Sequence, residues 1–292
     1  MTTVPIRDVS LFVKVMGHGY PLVLMHGGPG ADLYTLMSFR PLADRFTLVF
    51  YDHRCNGRST GAPVESMNFE NLTADAEALR QALGFEKWAV LGHSFGGNVA
   101  LEYALRYPQS LSHLLLVNSG ADYHWPAEKS PEELARRGFS PEIMNVSRRH
   151  FNGQFEPNEM FSNLMKLGKA YNPHTGLWQL PHMLFWGLQT KLRPEALIYS
   201  ATHFLKDWTV MDRLGEITVP TLVLAGAEDF VFPAEHQKEL AARIPNARLV
   251  LIERAGHNPH DEQTAQVVRA VRDFMATALA TESRMTPEIQ HA

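Results

Sequence analysis

Cysteine is almost absent from this sequence. The single one, Cys55, excludes an intrachain disulfide and makes a reducing cytoplasm the expected compartment. Excess positive charge is also missing. Lys and Arg together number 27 against 31 Asp and Glu, a net charge of −4, and no Lys/Arg run offers the basic face that a phosphate backbone needs. Nucleic acid is therefore not an expected partner. No uninterrupted apolar run approaches bilayer length, so no membrane partner is expected either. The first residues, MTTVPIRDVSLFVKV, lack an apolar core followed by a small-residue cleavage site and do not read as a signal peptide. The 14 histidines show no H-E-x-x-H spacing, so neither a metal nor another cofactor is expected. Nothing in the sequence speaks to oligomeric state.

What is present is ordinary globular material. The chain has 292 residues, 45% of them hydrophobic, enough for one large core or a core carrying an insertion. Short apolar runs alternate with amphipathic stretches, the pattern of an α/β protein with a mostly parallel sheet and helices on both faces. Strands are predicted over residues 9–15, 22–26, 47–51, 88–91, 113–117, 221–225 and 248–252. Several are continuously apolar (LLLV, TLVLA), as strands buried on both faces must be. Helices are predicted over 71–83, 95–107 and 262–278. The alternation fails between 122 and 205, a stretch rich in aromatics and interrupted by prolines. It reads as a helical cap inserted into a core formed by residues 1–121 and 206–280, with a disordered tail over 281–292.

The chemistry-bearing motif follows the strand that ends at Leu91. Gly92-His93-Ser94-Phe95-Gly96 is a G-x-S-x-G turn between a strand and a helix, the context in which the pattern has meaning. A serine on so sharp a turn sits above the sheet edge as a nucleophile, with glycines leaving it room. A serine hydroxyl needs a base, and the base an orienting carboxylate. Asp229 follows one buried strand and His257 the next, both at carboxyl ends where an open α/β sheet places its ligands. His260 is the competing base, and Glu228 and Asp122 are the competing acids. His93 and His26 are expected to pack or line rather than react. After the strand at 22–26, Gly27 and Gly28 let the backbone approach a developing oxyanion. The expected donors are the N–H groups of Gly28 and Phe95, with Gly27 as a further candidate.

The segments HGGPG, YDHRCNGRS, GHSFGG, GAEDFVFP and AGH together resemble the α/β-hydrolase superfamily. Within it, the chain is most similar to the proline iminopeptidase group of serine peptidases and its esterase relatives. The resemblance implies the α/β-hydrolase fold with an inserted cap, the triad Ser94, Asp229 and His257, and an oxyanion hole at Gly28 and Phe95. The Asp52–Arg54 segment is expected to be a structural brace. Iminopeptidases of this group hold the substrate's amino group with acidic residues, one directly after the catalytic Asp and one late in the cap. Here Phe230 takes the first position, and residues 198–200 supply no glutamate, Glu195 being displaced. The leading expectation is thus hydrolysis of a small-molecule ester or amide with an apolar or aromatic portion. Aminopeptidase activity is the alternative, and a slow-turnover ligand receptor a third. Phe230, Trp125, Trp186 and Tyr199 are the expected substrate contacts, with Phe232 adding to an apolar wall.

Overall fold

The computed structural model describes residues 2–177 and 179–285. Eight strands form one sheet: β1 (Thr2–Ile6), β2 (Val9–Met16), β3 (Tyr20–Met25), β4 (Phe46–Tyr51), β5 (Trp88–His93), β6 (Leu111–Val117), β7 (Thr221–Gly226) and β8 (Ala247–Ile252). Their order across the sheet is β1-β2-β4-β3-β5-β6-β7-β8. The pairs β1/β2 and β2/β4 are antiparallel, and every pair from β4 to β8 is parallel. The expected fold class is thus the observed one. Only β1 was not anticipated. It is a mostly exposed edge strand containing Pro5, and such strands carry neither a buried run nor clean alternation.

Alternation along each central strand divides the core in two. Val23 and Met25 of β3 face one layer, where they join α1 (Phe69–Ala82), α2 (Phe95–Arg106) and α8 (Ala234–Arg243) through Leu72, Val99 and Leu240. Leu22 and Leu24 face the other layer. There Leu36 and Phe39, from a 3-10 helical stretch (Leu33–Asp44), meet Val267 and Val271 of α10 (Thr264–Met285). The helix expected over 262–278 begins as a separate turn, α9 (Pro259–Glu262). Its continuation α10 runs further than expected, to Met285, so residues 281–285 of the expected disordered tail are helical; residues 286–292 lie outside the described residues.

Between β6 and β7 the chain makes α3 (Ser130–Arg136), α4 (Pro141–Phe151), α5 (Met160–Tyr171), α6 (Leu180–Gln189) and α7 (Pro194–Thr202). It leaves and returns through one neck, where Tyr123 N–H donates to the Trp208 carbonyl at 3.1 Å and Val210 N–H to that of Ala121 at 2.7 Å. Leu134, Val146, Phe151 and Leu167 of these helices pack against Phe230, Val231 and Phe232 of the core. The cap is thereby anchored on the loop that follows β7. Among the described residues, no helix is long and apolar enough to cross a membrane.

Candidate active site

Strands β3 and β5 are neighbours, but the chain leaves β3 toward β4 on one side and later returns on the other side to β5. At such a switch point the loops diverge and leave a crevice at the carboxyl ends of the strands. The loop after β3 brings Gly27 and Gly28 to this crevice, and the turn after β5 brings Ser94. Ser94 has φ +52° and ψ −122°, a left-handed strained conformation that lifts its side chain off the sheet. The turn is possible only because its neighbours lack side chains. A Cβ on Gly96 would overlap the Met25 carbonyl, and one on Gly27 would lie 3.1 Å from Ser94 Cβ and 2.6 Å from His93 Nδ1.

Three side chains from three loops then form a line. Ser94 Oγ lies 2.9 Å from His257 Nε2, so the hydroxyl donates to that nitrogen. His257 Nδ1 donates to Asp229, 2.9 Å from Oδ2 and 3.0 Å from Oδ1. Asp229 is fully buried, and its charge is met by two more donors: Val231 N–H at 2.8 Å and Asn118 Nδ2 at 2.7 Å. Asn118 ends β6 with φ +44°. Its Nδ2 also donates to the Gly256 carbonyl at 3.1 Å, while its Oδ1 accepts from Gly226 N–H at 3.0 Å. One amide thus links Asp229, the loop carrying His257, and β7. Sequence reasoning passed over Asn118, although a polar residue closing the apolar run LLLV at a carboxyl strand end was a usable signal.

His257 is supported from the cap. His257 N–H donates to the Tyr171 carbonyl at 2.9 Å. Buried Glu262 accepts from Gly256 N–H at 2.6 Å and from His174 N–H at 2.5 Å, and burial raises its carboxyl above the usual range. The competing candidates are occupied elsewhere. His260 is stacked on Phe39, with its Nε2 3.2 Å from the Thr35 carbonyl. Glu228 pairs with His174 at 2.6 Å, and Asp122 accepts from His124 N–H at 3.0 Å at the cap neck. His93 packs beside His257 and reaches its carbonyl at 3.0 Å. His26, which burial holds down at about 4, accepts from His53 N–H at 3.1 Å.

The glycine loop is braced by the segment after β4. Asn56 Oδ1 accepts from Gly30 N–H at 2.5 Å, and Asp52 accepts from Leu33 and Arg58 N–H groups at 2.9 and 2.7 Å. Arg54 is fully buried on Asp75, at 2.6 and 2.8 Å. Gly28 has φ +47° and lines the crevice with Gly27 and Phe95. Phe95 opens α2, so its N–H belongs to the first helical turn, which has no intrahelical acceptors.

Ser94 and His257 open into a cavity of about 410 Å³. Its walls include Pro29, Tyr123, His150, Phe151, Met160, Phe161, Tyr171, Leu197 and Phe232, and no Asp, Glu, Lys or Arg is among its described lining residues. The four expected substrate contacts are absent from the lining. Phe230 is buried beneath Tyr171, with ring centres 5.2 Å apart, because the loop turns its side chain into the cap core. Trp125 packs on His236 at 5.1 Å, and Trp186 stacks on Tyr34 at 5.7 Å. Tyr199 donates to the Glu65 carbonyl at 3.1 Å and stacks on His203 at 4.2 Å. Helical spacing places an aromatic side chain on a face without saying which side of the cap that face meets. Phe232 does line the cavity.

Comparison with known proteins places the fold in a family. The alpha/beta hydrolase fold family model matches residues 20–264, most of the chain. The chain belongs to the alpha/beta hydrolase fold family. It is 28% identical over 285 residues to proline iminopeptidase PfmaB of Pestalotiopsis fici, covering 93% of this chain and 98% of that protein. It is 26% identical over 247 residues to a putative carbamate hydrolase, RutD, of a Caulobacter species, covering 80% and 87%. A thermophilic esterase from Thermogutta terrifontis superposes with a TM-score of 0.72 at 26% identity, over 95% of this chain and 99% of that one. This family member is accordingly a hydrolase.

Proposed function

We propose that this hydrolase cleaves small carboxylic esters or related amides that carry an apolar or aromatic body and no free amino terminus, through an acyl-enzyme on Ser94. The observation that carries the reading is the Ser94–His257–Asp229 hydrogen-bonded line opening into a cavity with no charged lining residue among those described. His257 Nε2 takes the hydroxyl proton as Ser94 Oγ attacks the carbonyl carbon, and Asp229 balances the imidazolium that forms. The N–H groups of Gly28 and Phe95, with Gly27 as a further candidate, are the donors assigned to the charge that the carbonyl oxygen gains, since all three residues line the same cavity as Ser94. His257 then returns the proton to the leaving alcohol or amine. Water, activated by the same nitrogen, releases the acid.

A substrate ammonium in this cavity would meet no carboxylate among the described lining residues, and an unpaired buried charge is costly. The uncharged lining weighs against aminopeptidase chemistry, whereas Phe230, whose side chain does not reach the cavity, has no direct part in it. Ser94→Ala is expected to lower p-nitrophenyl ester turnover by on the order of a millionfold while leaving the circular-dichroism spectrum unchanged. Retained turnover removes Ser94 from the reaction. Faster cleavage of a prolyl arylamide than of an uncharged p-nitrophenyl ester by the unmodified protein would favour the peptidase reading instead.

A further inference from the structure

The cavity walls are mostly apolar, with Thr35, Asn98, Thr190 and Asn258 among their polar members, and one further polar residue differs from these. His150 stands at the C-terminal end of α4, lines the cavity and is only 4% exposed. Its ring lies flat against Phe155 at 5.4 Å and edge-on to Phe151, also at 5.4 Å. Two rings therefore fix its orientation, and its Nδ1 is buried with no hydrogen-bond partner. The other two histidines of the lining are each tied by a ring nitrogen: His93 to the His257 carbonyl, and His257 to Asp229 and Ser94.

A neutral imidazole carries one proton, on one nitrogen or the other. Burial keeps His150 neutral, with its pKa lowered to about 4. A proton on Nδ1 would be an unsatisfied buried donor, whereas a bare lone pair there is the lesser cost. The stable tautomer therefore carries its proton on Nε2. That leaves a fixed donor beside Phe151 in a largely apolar wall, and polar groups of this kind orient a ligand in a pocket.

We propose that His150 is a specificity-determining residue whose Nε2–H donates to an uncharged carbonyl oxygen on the substrate body, separate from the scissile carbonyl. Preferred substrates are then esters or amides whose apolar portion bears a keto or second carbonyl group. The proposal rests on the Ser94 cavity being the substrate pocket, as in the function proposed above. It predicts discrimination, because a pocket donor left unpaired by a purely hydrocarbon ligand disfavours that ligand.

The test uses two ligands that differ in one atom position, acetophenone and α-methylstyrene, where a methylene replaces the oxygen. Their dissociation constants are measured by calorimetry on Ser94→Ala, so that no turnover is required. The ketone-over-alkene ratio is then compared in the same background carrying His150→Phe or His150→Gln. Phenylalanine fits beside Phe151 and Phe155 without a donor, and is expected to lower the ratio about fivefold, the scale of one neutral hydrogen bond. Glutamine, which keeps an N–H donor, is expected to retain part of the preference. A ratio in His150→Phe within twofold of the parent overturns the proposal, since any preference would then come from the Gly28 and Phe95 donors. In histidine-labelled Ser94→Ala protein, acetophenone should shift the His150 Nε2 proton resonance and α-methylstyrene should not. Equal shifts also overturn the proposal. A protein that hydrolyses no ester but keeps a His150-dependent ketone preference would refute the esterase reading alone.

Discussion

The amide of Asn118 touches three parts of the site at once: the Asp229 carboxylate, the Gly256 carbonyl and the Gly226 N–H. Truncation to alanine would leave a buried carboxylate one donor short and two backbone groups unpartnered, each worth about 1–3 kcal/mol when buried. Asn118→Ala is expected to lower kcat about tenfold with a smaller change in KM, because the acid that orients His257 is displaced while the cavity walls stay. The same variant should melt at a lower temperature. Steady-state kinetics beside thermal melts check both, and an unchanged kcat with a lowered Tm would make Asn118 merely a structural tie. The contrast with Phe230 is instructive at this scale. Its position beside Asp229 in the sequence suggested a substrate contact, yet two adjacent residues on a tight loop point in different directions, one to His257 and the other into the cap core.

At the scale of elements, the turn between β5 and α2 tolerates least. Gly96 lies against the Met25 carbonyl at the end of β3, and backbone atoms there cannot retreat without breaking the β3/β5 pairing. Gly96→Ala is expected to cost several kcal/mol, within the range of severe backbone clashes, and to appear as a lowered denaturant midpoint or loss of soluble protein. A midpoint equal to that of the parent would show that the turn has slack. Such elements were legible in the sequence because their requirements are local. A strand buried on both faces must be apolar throughout, as LLLV in β6 is, and a nucleophile turn must be glycine-rich. The loop positions of Asp229 and His257 were legible for the same reason, each lying just past a buried strand. The edge strand β1 was not, since exposure removes its pattern. The facing of the cap aromatics was not legible either. Trp125, Trp186 and Tyr199 pack away from the cavity while Phe151 and Phe161 line it, a choice made by how α3–α7 dock rather than by any one helix.

For the whole molecule, buried histidine is the dominant acid-sensitive feature. Burial lowers His26, His113 and His150 to about 4 and also depresses His53, His93, His236 and His260. Above about pH 6.5 these rings are neutral in both folded and unfolded chains. Below it the unfolded chain binds protons that the native state refuses, so stability falls as pH drops toward 4. Asp52 acts in the opposite sense. Burial raises it to about 7, so its contribution is fully present below its unfolded value and is lost as pH rises through 7. Burial raises Asp32 and Glu262 as well, so seven histidines stand against three carboxyls, and the balance stays with the histidines. Melting temperature is expected to decline continuously from pH 6.5 to 4.5, and a rise across that window would contradict the assignment of these rings as neutral in the native protein.

The bond from His257 N–H to the Tyr171 carbonyl makes the roof of the cavity part of its machinery. Pro173 and Tyr171 also sit against Gly256 so closely that a Cβ there would collide with them. Substitutions that reshape the cap around Tyr171 are therefore expected to be felt at His257 itself and not only in the outline of the cavity. Phe161 of α5 lines the cavity yet stays 66% exposed, and it takes no part in the bond between Tyr171 and His257. The cavity thus has one wall tied to the histidine and another facing solvent.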